Sequence, residues 1–252
     1  MKKTVSSILL ASALLLGAIA PVTANADTTG NGFSGTTNSS VTFQKPDATT
    51  NPVDPNNPDQ PGKGDNGDHG GTNPGGDLTF LYVSPDMDFG TAKTSSTVDK
   101  NGKTTAQTLN PEKITATVLG EASTDKLVTE VSDTRGTNAG WQVTVKSSAL
   151  TSEAGDTLDG ATITLGGDSA NTIIKNTAGS VATGANAVLT TGAQTSTPIY
   201  TAGNGVGAGT TAMQLDASDI TLGSLPANIK ASETGTAYTG QLDWTLSATP
   251  QA

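Results

Sequence analysis

Carboxylates are the side chains of this sequence best suited to chemistry, since Asp and Glu number 23 against 13 Lys and Arg. In "PDMDFG", Asp86 and Asp88 alternate, so on a strand they would share a face and could hold a divalent cation. Two solvated carboxylates before a turn are the alternative. An acidic pair could also serve a glycosidase, but four Phe and two Trp leave few rings to line a sugar cleft. We expect no catalytic residues, no metal site and no cofactor, with the divalent cation left open.

Other common catalytic chemistries lack their residues. The sequence has no cysteine and a single histidine, His69, which excludes thiol catalysis and Cys/His zinc sites. Asp88, Phe89 and Gly90 spell the magnesium-binding triplet of kinases, but the motifs that accompany that triplet are missing. The stretch "GNGVGAG" lacks the glycine spacing of a dinucleotide site. The sequence therefore predicts a protein that is not an enzyme.

Each of the two tryptophans begins a Trp-x-aliphatic triplet, and the triplets lie about a hundred residues apart. In "WQVTVK" a period of two places Trp141 and Val143 on one face of a strand. In "QLDWTLSA" the same period groups Trp244 with Leu246, and Tyr238 lies upstream on that side. Each indole therefore belongs to an apolar row, which predicts two core tryptophans on facing or adjacent strands. The alternative is that one indole lines a groove and stacks on carbohydrate.

The elements that must hold these residues are strands. The segments "KITATVLG", "GWQVTVKS", "GATITLGG" and "YTGQLDWTLSA" alternate apolar and polar residues, and no segment keeps a helical stripe. Asn101-Gly102 predicts a type I′ hairpin turn. Short strands separated by Gly-rich loops predict an all-β fold, an antiparallel β-sandwich of the Ig-like or Greek-key type, preceded by a disordered linker.

The sequence divides into three parts. Residues 1–26 combine a basic start, an apolar run and an Ala-x-Ala motif, and predict a secretory signal peptide. Residues 27–77 are polar and rich in Pro, Asp and Gly, which predicts a disordered segment and linker because such a composition buries little apolar surface. Residues 78–252 carry the strand patterns and are the predicted β-sandwich domain.

The net charge of the chain argues against some classes of binding partner. The formal net charge is −10, and it falls to about −12 without Lys2 and Lys3 of the leader. A chain this acidic is unsuited to nucleic acid and is repelled by anionic membrane surfaces. We therefore expect neither nucleic-acid binding nor membrane insertion. The absence of cysteine in an exported protein fits a Gram-positive bacterium.

Three stretches of the sequence resemble a known family. "VSDTRGTNAGWQVTV" and "YTGQLDWTLSATP" look like the two motifs of the WxL-domain surface proteins of Gram-positive bacteria, and "VSPDMDFGT" resembles the strand that opens that domain. The resemblance covers about residues 78 to 252, and the block from Asp133 to Trp141 is its most specific part. The first triplet departs from the pattern, because it is Trp-Gln-Val and not Trp-x-Leu. Valine suits a strand, so the departure puts in doubt only a role that needs leucine there.

The resemblance implies a secreted, non-enzymatic protein that attaches non-covalently to the cell wall through peptidoglycan, in a complex with other exported surface proteins. The wall-binding motif that it implies, unless these residues are scaffold, consists of Trp141, Val143, Trp244 and Leu246. The alternative function is an adhesin or interaction module that binds another surface protein or a host matrix component.

Arg135 is the only arginine in the chain. In an acidic protein we expect it to neutralise a buried or turn carboxylate such as Asp133, and contact with an anion of the wall is the alternative. Together with Tyr238, these two residues are the expected supporting residues of the motif.

Overall fold

The computed structural model describes residues 37–64, 67–94, 107–166, 172–179, 183–184, 186–226 and 228–248. Within them the chain forms eighteen strands: β1 Val53–Asp54, β2 Asn57–Pro61, β3 Leu78–Val83, β4 Met87–Asp88, β5 Lys113–Ala116, β6 Glu121–Thr124, β7 Lys126–Asp133, β8 Trp141–Ser147, β9 Thr151–Ser152, β10 Thr162–Leu165, β11 Thr172–Asn176, β12 Thr183–Gly184, β13 Ala187–Thr190, β14 Thr197–Ala202, β15 Gly209–Asp216, β16 Ile220–Gly223, β17 Tyr238–Thr239 and β18 Leu242–Ser247. Two short 3₁₀ helices, Thr117–Leu119 and Ala217–Asp219, follow β5 and β15.

In the described ranges no helix has the length and apolar character needed to cross a membrane. The predicted signal peptide and the Asn101-Gly102 turn lie outside the described residues.

Two four-stranded sheets carry most of the core. One has the strand order β11-β15-β7-β3 and the other β12-β14-β8-β18, and a three-stranded sheet, β13-β10-β16, adds a third wall. Their ladders are antiparallel. Apolar residues of all three sheets form one buried cluster, the main core, and the Thr129 hydroxyl of β7 donates to the Tyr200 hydroxyl of β14 at 3.0 Å. The predicted all-β fold of antiparallel sheets is confirmed.

One predicted strand ends earlier than its pattern indicates. In "KITATVLG", β5 ends at Ala116 and the next three residues form a 3₁₀ helix that Gly120 closes. Gly120 has a φ of 86°, in the left-handed region that favours glycine, and its N–H donates to the Thr117 carbonyl at 2.8 Å. This turn places Val118 in a second, smaller apolar cluster outside the main core.

Strand β7 is buried on both faces. Leu127 and Val131 point into the main core, and Val128 packs in the smaller cluster with Tyr82 and Val118. Since successive side chains of a strand point to opposite faces, the sheet that contains β7 needs cover on its outer side as well as its inner side.

Residues 51–64 supply part of this outer cover, which differs from the disordered linker that the sequence predicts. β1 and β2 pair as a hairpin within this segment, and the Val53 N–H donates to the Glu130 carboxyl at 3.0 Å. The Gln214 side chain of β15 donates to the Pro55 carbonyl at 3.1 Å. The composition misleads because hydrogen bonds to buried polar side chains, more than apolar burial, hold this segment. The division of the chain after residue 77 stays a prediction.

Two glycines allow this segment to approach the first 3₁₀ helix closely. A Cβ atom on Gly64 would lie 2.2 Å from the Thr117 carbonyl oxygen, and one on Gly62 would lie 2.9 Å from a methyl of Val118. Between them, the Lys63 N–H donates to the Val118 carbonyl at 3.0 Å. The segment therefore lies against backbone at Gly64 and against the Val118 side chain at Gly62, with no room for a side chain at either glycine.

Glu130 is a buried acid at the junction between the sheet and the segment. Its side chain is fully buried, and Oε1 has no hydrogen-bond partner among the described residues. Burial raises the pKa of Glu130 to about 8, the Val53 hydrogen bond opposes this rise, and the Asp54 charge adds to it. Gln214 lies on the same face of the sheet, and its Oε1 is also buried without a partner in the described structure. A protonated Glu130 carries a donor that the ionised group lacks, and it avoids the burial of a charge.

We predict that Glu130→Gln removes a pH dependence of stability. Because burial raises the pKa in the folded state from 4.5 to about 8, the protonated acid stabilises the fold fully below pH 4.5, and this contribution is lost as the pH rises through about 8. Relative to the variant, wild type should lose on the order of 3 kcal/mol of unfolding free energy between about pH 5 and pH 8. Urea denaturation over this range measures the difference.

The matched control is Glu153→Gln, which makes the same change at an exposed position. Its stability should follow that of wild type at every pH. Parallel pH profiles for wild type and Glu130→Gln would show that Glu130 is ionised in the folded protein, contrary to its burial.

Candidate functional site

The two tryptophan triplets lie on neighbouring strands of one sheet. β8 carries Trp141 and Val143, β18 carries Trp244 and Leu246, and the strands pair antiparallel with Leu246 opposite Val143 and Trp244 opposite Val145. Directly opposed residues share a face of the sheet, and this face packs on the main core. The structure thus brings together the four residues of the predicted wall-binding motif. Their contact with a ligand stays a prediction.

Trp141 is fully buried. Its indole N–H donates to the Gly207 carbonyl at 2.9 Å, and its ring meets the Tyr200 ring edge to face, with centroids 5.4 Å apart and planes at 87°. Edge-to-face contact is a favourable aromatic geometry, and a buried indole N–H needs an acceptor. The residue is therefore part of the scaffold in this fold, because no face of its ring reaches solvent.

Among the described strands, β18 lies at the edge of the same sheet. Leu242, Trp244 and Leu246 are only half-buried, whereas the core-facing residues of β8 are fully buried. At the start of the ladder the Ser148 N–H donates to the Gln241 carbonyl at 2.9 Å. Since hydrogen-bonded pairs alternate in an antiparallel ladder, Trp244 and Leu246 direct their backbone N–H and C=O groups away from β8. The second triplet is thus the part of the motif that another molecule can reach.

Arg135 joins three strand ends. Its guanidinium donates to both carboxylate oxygens of Asp133, at 2.8 and 2.7 Å, to the Gly140 carbonyl at 2.8 Å and to the Ala248 carbonyl at 3.4 Å. The Asp133 side chain is 2% exposed and that of Arg135 is 17% exposed. These bonds to Asp133 raise the pKa of Arg135. The geometry supports the structural expectation for Arg135, because its donors are directed to the protein itself.

Tyr238 lies apart from the strand that carries the second triplet. It belongs to β17, which pairs with β9, and its hydroxyl donates to the Lys230 carbonyl at 3.0 Å. The ring is half-buried and packs against the main core. Tyr238 therefore supports the core beside the motif and does not extend the row that contains Trp244.

The two candidate cation ligands are placed in and before β4. The Asp88 carboxylate accepts from the Gly90 N–H at 2.9 Å, as in a turn, and the Asp86 carbonyl accepts from the Thr115 N–H at 3.0 Å. In the part of the chain that the structure describes, no three Asp, Glu or His side chains come together as a metal would require. The expectation of no metal site and no cofactor, with a divalent cation left open, stays a prediction.

A groove that the sequence does not reveal lies beside the β1–β2 hairpin. Its volume is about 500 Å³, and its lining consists of Thr49, residues 51–53 and 58–62, Gly64, residues 67–68 and Val118. Because the sequence predicts disorder for the Pro-rich segment, it does not predict this groove. One signal was available, because prolines stand at every third position from Pro52 to Pro61. Such spacing restricts the backbone and lowers the entropy cost of ordering it.

The groove is negatively charged. The Asp68 carboxylate accepts from the Thr117 hydroxyl at 2.6 Å and from the Gly70 N–H at 2.9 Å, and these bonds hold its pKa below the usual value. Asp59 is exposed in β2. Neither carboxylate forms an ion pair within the described ranges, whereas the nearby Lys63 ammonium lies 3.3 Å from Asp54. The groove therefore offers two carboxylates that form no ion pair with Lys or Arg in the described residues, and the neighbouring His69 adds a smaller contribution that lowers the pKa of Asp68.

We predict that the two tryptophans differ in their contribution to stability. Trp141→Ala should cost about 3–5 kcal/mol, because it removes a fully buried ring. The apolar rows alone predict a similar cost for Trp244→Ala, but half-burial reduces the expected loss to roughly 2 kcal/mol. Urea denaturation followed by circular dichroism measures both. Equal losses would show that Trp244 is as deeply packed as Trp141.

We predict that Arg135→Ala destabilises the domain by roughly 3 kcal/mol, because it leaves the buried Asp133 carboxylate without its partner. Adding Asp133→Asn to this variant should recover part of the loss, since it removes the uncompensated charge. Chemical denaturation of wild type, both single variants and the double variant gives the coupling energy. A loss below about 0.5 kcal/mol for Arg135→Ala would place this pair among weak surface ion pairs.

Comparison with known proteins identifies one family. The family model described as WxL domain surface cell wall-binding matches residues 30–250. Comparisons with the curated proteins and with the solved structures give no match. The matched range contains both triplets, and it also contains the N-terminal hairpin and the groove. Since the match covers most of the chain, this protein belongs to the WxL domain surface cell wall-binding family.

Proposed function

We propose that this protein is exported and attaches non-covalently to peptidoglycan of the Gram-positive cell wall, without enzymatic activity. The observation that carries the proposal is the match of a surface cell wall-binding family to residues 30–250. The acidic charge and the packed, strand-borne tryptophan triplets support it, because they fit a binding domain better than a catalytic one.

In this proposal the tryptophan triplets hold the binding domain together. Trp141 has no exposed surface, and Trp244 contributes its apolar face to the main core from the edge strand. A ligand of the wall would therefore contact surfaces that this scaffold positions, and not the buried indole. Loss of Trp141 would abolish binding by unfolding the domain.

The net charge of the protein limits the kinds of contact by which it can bind the wall. Teichoic acids of such walls are polyanions, and a chain of formal charge −10 is repelled from them at long range. Attachment therefore relies on short-range contacts to neutral glycan or to the wall peptides, on bridging divalent cations or on a partner protein. Rising salt screens the repulsion, so the affinity should not fall steeply with ionic strength, unlike that of a basic wall-binding module.

The open edge of β18 supports membership in a complex of exported surface proteins. Its outward N–H and C=O groups and the half-buried side chains of Trp244 and Leu246 are the features that an added strand from a partner would satisfy. Such an interaction would use the second triplet without exposing the first. An adhesin that binds a surface or host matrix protein would use the same edge, so wall binding must be tested with peptidoglycan alone.

We predict that the mature protein sediments with purified peptidoglycan stripped of teichoic acid, and that Trp244→Phe sediments equally well. Phenylalanine keeps an apolar ring at the half-buried position, so circular dichroism should show both proteins folded. The matched control is Thr245→Val, which changes the exposed face of the same strand. The sedimented fraction should change little as the salt concentration rises.

Each result separates the functions considered. If folded Trp244→Phe does not sediment, the Trp244 indole contacts the wall and the scaffold role is wrong. If wild type does not sediment, peptidoglycan alone is not the ligand, and the interaction module becomes the better explanation. If rising salt strips the protein as it strips a polycation, the short-range mechanism is wrong. A fall in the turbidity of the wall suspension would reveal hydrolysis and contradict a non-enzymatic role.

A further inference from the structure

We propose that the groove beside the β1–β2 hairpin binds a primary ammonium group carried by a short peptide, such as a free amine of the wall peptides. This inference rests on the proposed attachment to peptidoglycan and names the chemical group that the protein recognises there. Its evidence is the shape of the groove, the state of its carboxylates and the side chains that surround them.

The groove is formed by ordered backbone. The Gly62 N–H donates to the Pro52 carbonyl at 3.1 Å, and the Lys63 N–H donates to the Val118 carbonyl at 3.0 Å. The close approach of Gly64 to Thr117 fixes the segment against the 3₁₀ helix. A site that is formed before its ligand arrives avoids the entropy cost of ordering a loop on binding.

The carboxylates of the groove would attract a cation. Asp68 is held by Thr117 and by the Gly70 N–H, and Asp59 is an exposed member of the same lining. In the described part of the chain neither carboxylate forms an ion pair with Lys or Arg. The described lining contains no Lys, Arg or His. A phosphate or carboxylate ligand would therefore meet only like charge, whereas an ammonium would find acceptors for its three donors.

The rest of the lining suits a peptide. Asn51 and Gln60 place amide groups in the groove, and these can pair with the N–H and C=O groups of a peptide backbone. Pro52 and Pro61 add rigid apolar rings that lose no side-chain freedom on contact. A volume of about 500 Å³ lies within the range of small-molecule sites, so the groove admits a few residues at most.

The test compares stripped peptidoglycan before and after acetylation of its free amines. Wild type should sediment about fivefold more weakly with the acetylated wall, since exposed ion pairs are individually modest. The variant Asp59→Asn/Asp68→Asn should bind the untreated wall about fivefold more weakly and lose nothing further on acetylation. The control, Glu153→Gln/Glu233→Gln, makes the same change of charge at two exposed residues outside the lining and should behave as wild type.

Asp59→Asn alone keeps the test decisive if the double variant fails to fold, because Asp59 is exposed and makes none of the hydrogen bonds that hold Asp68. It should reproduce part of the loss. Equal binding of wild type to untreated and acetylated walls would overturn the ammonium site and leave wall attachment intact.

A soluble probe separates this inference from the proposed function. Fluorescence anisotropy compares a labelled acetyl-Ala-Lys-Ala-amide peptide with its Nε-acetyl form. Weaker binding of the acetylated peptide to wild type, and no preference in Asp59→Asn/Asp68→Asn, would support the ammonium site even if no protein sediments with the wall. No preference in wild type would overturn it, whatever the wall experiment shows.

Discussion

The burial of β7 on both faces is the constraint on which the rest of the structure depends. Leu127 and Val131 require a packed layer on one side, and Val128 with Glu130 requires another on the opposite side. A two-layer sandwich satisfies only the first requirement. The second is met by the segment around Val118 and by the N-terminal hairpin. The groove lies on this outer face of the sheet, which the polar hairpin segment covers in place of a second apolar sheet.

The same strand connects the core to the family motif. β7 ends at Asp133, whose buried carboxylate holds Arg135, and the guanidinium in turn binds the carbonyls of Gly140 and Ala248. The start of the first triplet and the end of the second are therefore tied to one charge pair. This arrangement accounts for the only arginine of a strongly acidic chain, two residues after Asp133, because a bidentate partner is needed where a carboxylate is buried.

The two triplets lie on one sheet, the first on an interior strand and the second on the edge strand. Trp141 fixes β8 inside the core through an indole hydrogen bond and an aromatic contact, whereas Trp244 covers the same apolar face from the strand at the edge of the described sheet. Val143 of the first triplet is fully buried and lies opposite the half-buried Leu246 on the neighbouring strand.

The sequence by itself determined the class of the fold and its motif. Period-two alternation around Trp141 and Trp244 predicts strands because a half-buried strand must alternate. The absence of cysteine excludes thiol catalysis and cysteine zinc sites, and the excess of acidic over basic residues argues against nucleic-acid binding. Tertiary structure alone decided which faces meet. The half-burial of Trp244, the hairpin at residues 53–61 and the raised pKa of Glu130 all depend on contacts between residues far apart in the chain. The local sequence pattern predicts apolar burial and does not predict long-range hydrogen bonds between polar groups. The sequence around the hairpin therefore predicts disorder, although hydrogen bonds to the sheet hold this segment in place.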